Sequence, residues 1–464
     1  MAKKLTGFSY AREKLNSGWK TILLNQFHDI LPGSSIASVY DWCDIDYAIV
    51  KDKGNSVLDG ARATIVKNIK TDGGLVVFNP NSFKNSSAVE YDGEVIYVKD
   101  IPAHGYKVVT PEKSVADYKL NGKTLETKRY IVEFSDDYTI SRIFDKTNNR
   151  EVLRDGGRAN VIQAYEDYPY CYDNWEISNY YEDKMYEINS VEEVSFFDEG
   201  ERFGFNIKRK FLDSDFCQKI CFYNNSPKID FITTSDWKQE HYMVKAAFDV
   251  NVNTDKATYD IQFGNVQRAT HRNTSWDAAK FEVCAHKFMD MAEYDYGISL
   301  MNDCKYGHNV KDGTMKLSLF KCGTHPDPNA DKIVHSFTYS LYPHSGDFRE
   351  AGTVQMAYDL NNPMVAIPVS KQEGCLPAEY SFVTCNADNF IVETLKMAED
   401  SDSLILRGYE TYNKRTSVEL DFGFEVKSAK LCDMMENEIG EVELEGNKVK
   451  FIAKPFEIIT LKIN

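Results

Sequence analysis

The chain has 464 residues, 42% of them hydrophobic and 13% aromatic, with a formal net charge of −17. That length points to two to four domains, and that composition excludes a disordered chain. The acidic balance argues against long contact with phosphate backbones, which needs clustered Lys and Arg, so no nucleic-acid partner is expected.

The opening stretch, MAKKLTGFSYAREK, has no apolar signal-like core, and no run is long enough to span a bilayer. No membrane partner is therefore expected, and the cytoplasm is the default location. A sustained helical period occupies about the first 70 residues. Trp19, Ile22, Leu23, Phe27 and Ile30 recur at steps of three and four, which predicts one helix face that Pro32 and Gly33 end. Ser34 or Ser35 can cap a second helix, where Ile36, Val39, Cys43, Tyr47 and Val50 keep the rhythm and Ala61 and Ile65 extend it. A tight turn makes the two antiparallel. Two such stripes cannot satisfy each other completely, so a further helix or a neighbouring domain is expected.

From TDGG at 71–74 the texture changes to short β-like runs: LVVFNP, SSAVEYDGEVIYV and HGYKVVTPE. RYIVEFSDDYTISRIFDKTNNREVL then alternates apolar and polar residues around Asp-Asp and Asn-Asn turns, and FGFNIKRKFL, KICFYNN, YGISLMND and MKLSLFK continue the habit. LILRGYE, SVELDFGF and FEIITLKI end the chain in the same manner. The expected fold is mainly β with an N-terminal helical segment. Its parts are a partial helical bundle over 1–72, a small β domain over 73–115, a large β-sandwich over 116–388 and a small sandwich over 389–464.

Ten cysteines are scattered without a CxxC and read as reduced thiols; Cys217 and Cys221 share a strand-like run and make a poor metal clamp. HExxH, GxSxG, a P-loop and GxGxxG are absent, and 71 acidic residues single out no carboxylate pair. His28 and Asp29, in ILLNQFHDILPGSSI, are two ligand types that zinc accepts; they are also the ingredients of an ordinary helix end. His325 and Asp327 form an H-x-D pair within CGTHPDPNADK, which reads as a surface turn. YEDYPYCYDNWEISNYYEDK, at 165–184, sets Tyr and Trp among acids and amides, a surface suited to sugar stacking or to edge packing. Asn302, Asp303 and Lys305 fit either a substrate contact or a plain turn.

LLNQFHDILPGSSI followed by VYDWCDIDY resembles the helical-bundle segment of the α-mannosidases of glycoside hydrolase family 38. VFNPNSF, DNWEI, ATYDIQFGNVQRATHRNTSWDAAKFEVCAHKFMD and FTYSLYPHSGDF are similar to that family's C-terminal region. The resemblance implies a catalytic α/β domain, a helical bundle and β-sandwiches in that order, the largest sandwich galactose-mutarotase-like. It further implies a zinc ion with His28 as one ligand, and Asp29 as the acid that hydrogen-bonds hydroxyls of a mannose-containing oligosaccharide in a retaining hydrolysis. The family's early H-x-D motif and its nucleophile segment have no counterpart here, so no catalytic residue is assigned.

The expectation is the C-terminal portion of a zinc-dependent α-mannosidase, inactive alone, whose partner is an N-terminal catalytic domain; self-association into a homo-oligomer stays open. The alternative is a non-catalytic carbohydrate-binding β-sandwich module. An aldose epimerase would need His271, His286 or His308 paired with a Glu.

Overall fold

The computed structural model describes residues 1–464. Three helices open the chain: α1 (Ala2–Thr6), α2 (Arg12–Leu24) and α3 (Ala37–Asn68). None is long and apolar enough to cross a membrane. The first long helix ends at Leu24, well before Pro32, so Phe27, His28 and Ile30 lie in the loop rather than on a helix face. Asn25 is the reason. Both its backbone N–H and its side-chain amide donate to the Thr21 carbonyl, at 3.1 and 3.0 Å, which satisfies an acceptor that a helix end leaves open. Neither Ser34 nor Ser35 caps α3, whose first turn follows Ile36 without a side-chain cap.

Cross-links between the two helices fix their antiparallel pairing. Lys53 Nζ donates to Ser17 Oγ at 3.0 Å, and Asn25 Nδ2 donates to Asp46 Oδ2 at 2.9 Å. On α3, Cys43 and Ile65 are buried while Trp42, Ile45 and Ile49 are exposed; on α2 and its loop, Trp19, Leu23 and Phe27 are exposed. Of the residues in the expected period, Trp19, Leu23, Phe27 and Ile36 face solvent and only Cys43 and Ile65 are buried.

The hairpin is rooted at the far end of α3. Ile65 and Ile69 pack with Ala2 of α1 against Val76, Phe78, Tyr106 and Leu376. The strand Thr71–Asn79 lies inside a four-stranded antiparallel sheet, between Val365–Gln372 and Gly105–Val109, with Glu379–Ser381 at the edge. That sheet therefore draws on residues from both the 73–115 and the 116–388 stretches.

Residues 118–345 form sheets of eleven and nine strands that enclose 43 buried hydrophobic residues. The alternation that predicted them is visible in Tyr130–Phe134, where Tyr130, Val132 and Phe134 face in and Ile131 and Glu133 do not. The last sandwich, of four and five strands, encloses 16. The molecule is mainly β with a short helical N-terminal segment and several sandwiched sheets.

Candidate functional site

The loop between α2 and α3 is a chain of tight turns. Ile30 and Leu31 N–H groups donate to the Phe27 carbonyl at 2.9 and 3.1 Å, and Gly33 N–H donates to Ile30 at 3.1 Å. Gly33 closes the last turn at φ 76°, a left-handed conformation that a Cβ would strain. The Tyr40 hydroxyl accepts from Ser35 N–H at 2.8 Å and donates to the Asp29 carbonyl at 3.3 Å, which ties the loop to the first turns of α3. Cys43 Sγ donates to Asn25 Oδ1 at 3.1 Å from below.

His28 is thus held through its neighbours and bare at its ring. Its side chain is 78% exposed, tilted against Phe27 with ring centroids 4.3 Å apart, and its Nε2 lies 3.4 Å from Asp29 Oδ2. Leu23, Leu24, Phe27, Leu31, Ile36 and Trp42, all at this end of the hairpin, are exposed as well. Two donors of the right chemistry for zinc stand here, and no group of three or more His, Cys, Asp or Glu converges anywhere in the chain. A catalytic zinc takes about three protein ligands, so these residues fit as part of such a site and do not make one by themselves.

The 324–331 loop of the large sandwich lies within charge range of this end of the hairpin. Burial raises the pKa of Tyr40, and the nearby Asp327 and Asp331 charges raise it further. Next to that loop stands the aromatic segment 165–184. Asp173 fastens the two: its carboxylate accepts the N–H groups of Thr324 and His325 at 2.8 and 2.7 Å, while Asn174 Nδ2 donates to the Asp327 carbonyl at 3.0 Å. Burial opposes ionisation of Asp173, but those two amides and the Lys321 charge outweigh it and hold the carboxyl below its ordinary value. Lys321, itself largely buried, bonds both Asp167 and the Asp173 carbonyl. Tyr168, Tyr172, Asp173, His241, Thr324 and His325 line a cavity of about 410 Å³.

The remaining sequence candidates have structural partners. Asn302 is buried, donating to the His286 carbonyl at 2.7 Å and accepting from Lys305 N–H at 2.7 Å; Asp303 accepts from Thr338 N–H at 2.8 Å. They brace a turn. Cys221 is buried and Cys217 half-buried on one strand, and all ten cysteines are free thiols. His271 lies 3.8 Å from Asp277, His286 bonds Gln262, and His308 is buried on the Tyr306 carbonyl; none pairs with a Glu. Sequence reasoning missed Asn25 and Tyr40, which set the loop, and the meeting of Asp173 with His241 and His325. The aromatic run and the His325–Asp327 pair signalled the last of these only as separate features.

Three family models match the chain. The Alpha mannosidase middle domain covers residues 1–65, the Glycosyl hydrolases family 38 C-terminal domain 125–329, and the family 38 C-terminal beta sandwich domain 389–461. The chain belongs to glycoside hydrolase family 38. It is 31% identical to Alpha-mannosidase 2C1 of Homo sapiens, over 98% of this chain and 46% of that protein, and 26% identical to an Alpha-mannosidase of Saccharomyces cerevisiae, over 98% and 44%. The chain spans about half the length of the curated relatives it matches. A solved structure, an alpha-mannosidase from Enterococcus faecalis V583, superposes with a TM-score of 0.85 over 100% of this chain and 65% of that one; at 15% identity it shows a shared fold. In family 38 terms, His28 and Asp29 lie within the middle-domain match and the aromatic cavity within the C-terminal match.

Proposed function

We propose that these residues form part of a zinc-dependent, retaining α-mannosidase that removes terminal α-mannosyl residues from oligosaccharides. In this reading the α2–α3 loop is one wall of an active site whose nucleophile, general acid and other metal ligands stand on a catalytic domain outside these 464 residues. The observation that carries it is the exposed His28–Asp29 pair, fixed by Asn25 and Tyr40 and surrounded by bare apolar side chains at the hairpin end. A helix end built only for packing gains nothing from holding a histidine out in water. That also favours the enzyme over a purely sugar-binding sandwich.

His28 offers a ring nitrogen as one ligand, and Asp29 accepts hydrogen bonds from sugar hydroxyls. A zinc ion held there would supply Lewis-acid polarisation of the bound sugar. The carboxylate orients the same sugar, and the apolar rim excludes water once it is covered. A cytoplasmic location goes with this reading.

Zinc content and kinetics of the full-length protein test the assignment. His28→Ala is expected to lose zinc and activity together. Asp29→Asn should keep its zinc and lose roughly ten- to hundredfold in kcat/KM, the value of one charge-assisted hydrogen bond. The 464-residue chain alone should hydrolyse no aryl α-mannoside. Full zinc and full activity in His28→Ala would return the loop to an ordinary connection.

A further inference from the structure

We propose that the cavity under the 167–175 loop is a second sugar subsite, which takes a pyranose of the oligosaccharide beyond its terminal residue. The identity of that sugar as mannose rests on the mannosidase reading; the existence of the subsite does not.

A pyranose presents an apolar C–H face and a rim of hydroxyls, so its site needs flat ring surface beside fixed donors and acceptors. Both are here. Tyr168 stacks on His241 with centroids 4.5 Å apart and planes at 26°, and Tyr172 leans on His325 at 5.0 Å. Tyr170 is 98% exposed on the same loop, and Trp175 forms an edge contact with Tyr172. Tyr165 and Tyr181 of the run are packed beneath the sandwich edge, whereas Tyr168, Tyr170, Tyr172 and Trp175 are left exposed.

The polar atoms are equally suggestive. His241 Nδ1 faces Asp173 Oδ2 at 3.1 Å without hydrogen-bond geometry and is a buried atom with no hydrogen-bond partner, and both residues line the cavity. Buried polar atoms are almost always satisfied, and a ligand hydroxyl entering the cavity would supply what His241 lacks. The cavity needs no ordering on binding, because Asp173, Lys321 and the Asn174–Asp327 bond already hold its loop.

Position links it to the proposed active site. The 324–331 loop that Asn174 grips is the one whose Asp327 charge reaches Tyr40, and Tyr40 carries the Asp29 carbonyl. The cavity and the His28–Asp29 pair are therefore neighbours through that loop.

Calorimetric titration of the 464-residue chain with α-mannobiose and α-galactobiose is the test. Saturable mannobiose binding is expected, weakened about tenfold by Tyr168→Ala and by Tyr172→Ala, kept in Tyr172→Phe, and indifferent to Tyr294→Ala, an exposed ring elsewhere on the large sandwich. Binding should survive His28→Ala. Galactobiose bound as tightly as mannobiose would uphold the subsite and count against the mannosidase reading. No saturable binding of either sugar, or binding that ignores both tyrosine deletions, overturns the subsite while the zinc and kinetic test of His28 stands untouched.

Discussion

The α2–α3 hairpin and the large sandwich put opposite kinds of residue inside. The hairpin buries Asn25, Ser34 and Cys43 and leaves Trp19, Leu23 and Trp42 in solvent; the sandwich buries Trp237, Phe231 and Tyr339 and shows mostly polar side chains along its outer strands. One element carries its own core. The other is held by a few side-chain hydrogen bonds and a root on the first sheet, and it spends its large apolar residues on a surface. The lesson is that burial here follows the partner each element has, and residue type alone does not decide it.

The largest expected effect lies in the sandwich. Trp237 is fully buried, stacked on Phe211 with centroids 5.6 Å apart, and its Nε1 donates to the Gln239 carbonyl at 2.8 Å. Trp237→Ala should cost about 3–5 kcal/mol in urea denaturation, because it removes a large side chain and leaves a cavity. A loss under about 1 kcal/mol would mean that the sandwich core is not what holds this part together.

Acid should act next, and on the same domain. Burial, together with the positive charges of Lys245 and Arg268, pushes His308 down to about 4 despite its bond to the Tyr306 carbonyl. In the unfolded chain its pKa returns to about 6.5. Between those values the unfolded state takes up a proton that the folded state refuses, so the contribution is full above the unfolded pKa and fades as pH falls through about 4. The loss amounts to about 3 kcal/mol. Denaturation midpoints measured from pH 7.5 to 4 should show it, and His308→Gln should flatten the curve; an unchanged slope in that variant would place the acid sensitivity elsewhere.

The smallest effect is expected on the hairpin. Trp42→Gln, at a side chain 67% exposed, should change stability by less than about 0.5 kcal/mol in this chain. In the full-length protein the same substitution should cost more if that face is covered there. Equal, negligible effects in both would separate the apolar rim from any interface.

Much of the architecture was legible in the residues. The period-two alternation of RYIVEF and its neighbours marked the strands, because one buried face per strand leaves that trace. FHD with its flanking residues singled out the His28–Asp29 pair, though at a helix end and not in the loop that holds it out in water. What the sequence by itself determined, then, was element type, their order and the chemistry of single residues, since these depend on side chains a few positions apart.

Tertiary structure alone decided the rest. The stop of α2 at Leu24 came from Asn25 reaching Thr21 and Asp46, where spacing had run the helix on to Pro32. The first sheet closed with Val365–Gln372, nearly three hundred residues after its partner strand Thr71–Asn79. Asp173, His241 and His325 met across a cavity because strands of one sheet and a loop gripped by two amides brought them there. Contacts between residues so distant in the chain leave no periodicity to read; they are set by which strands pair and by which buried polar groups find partners.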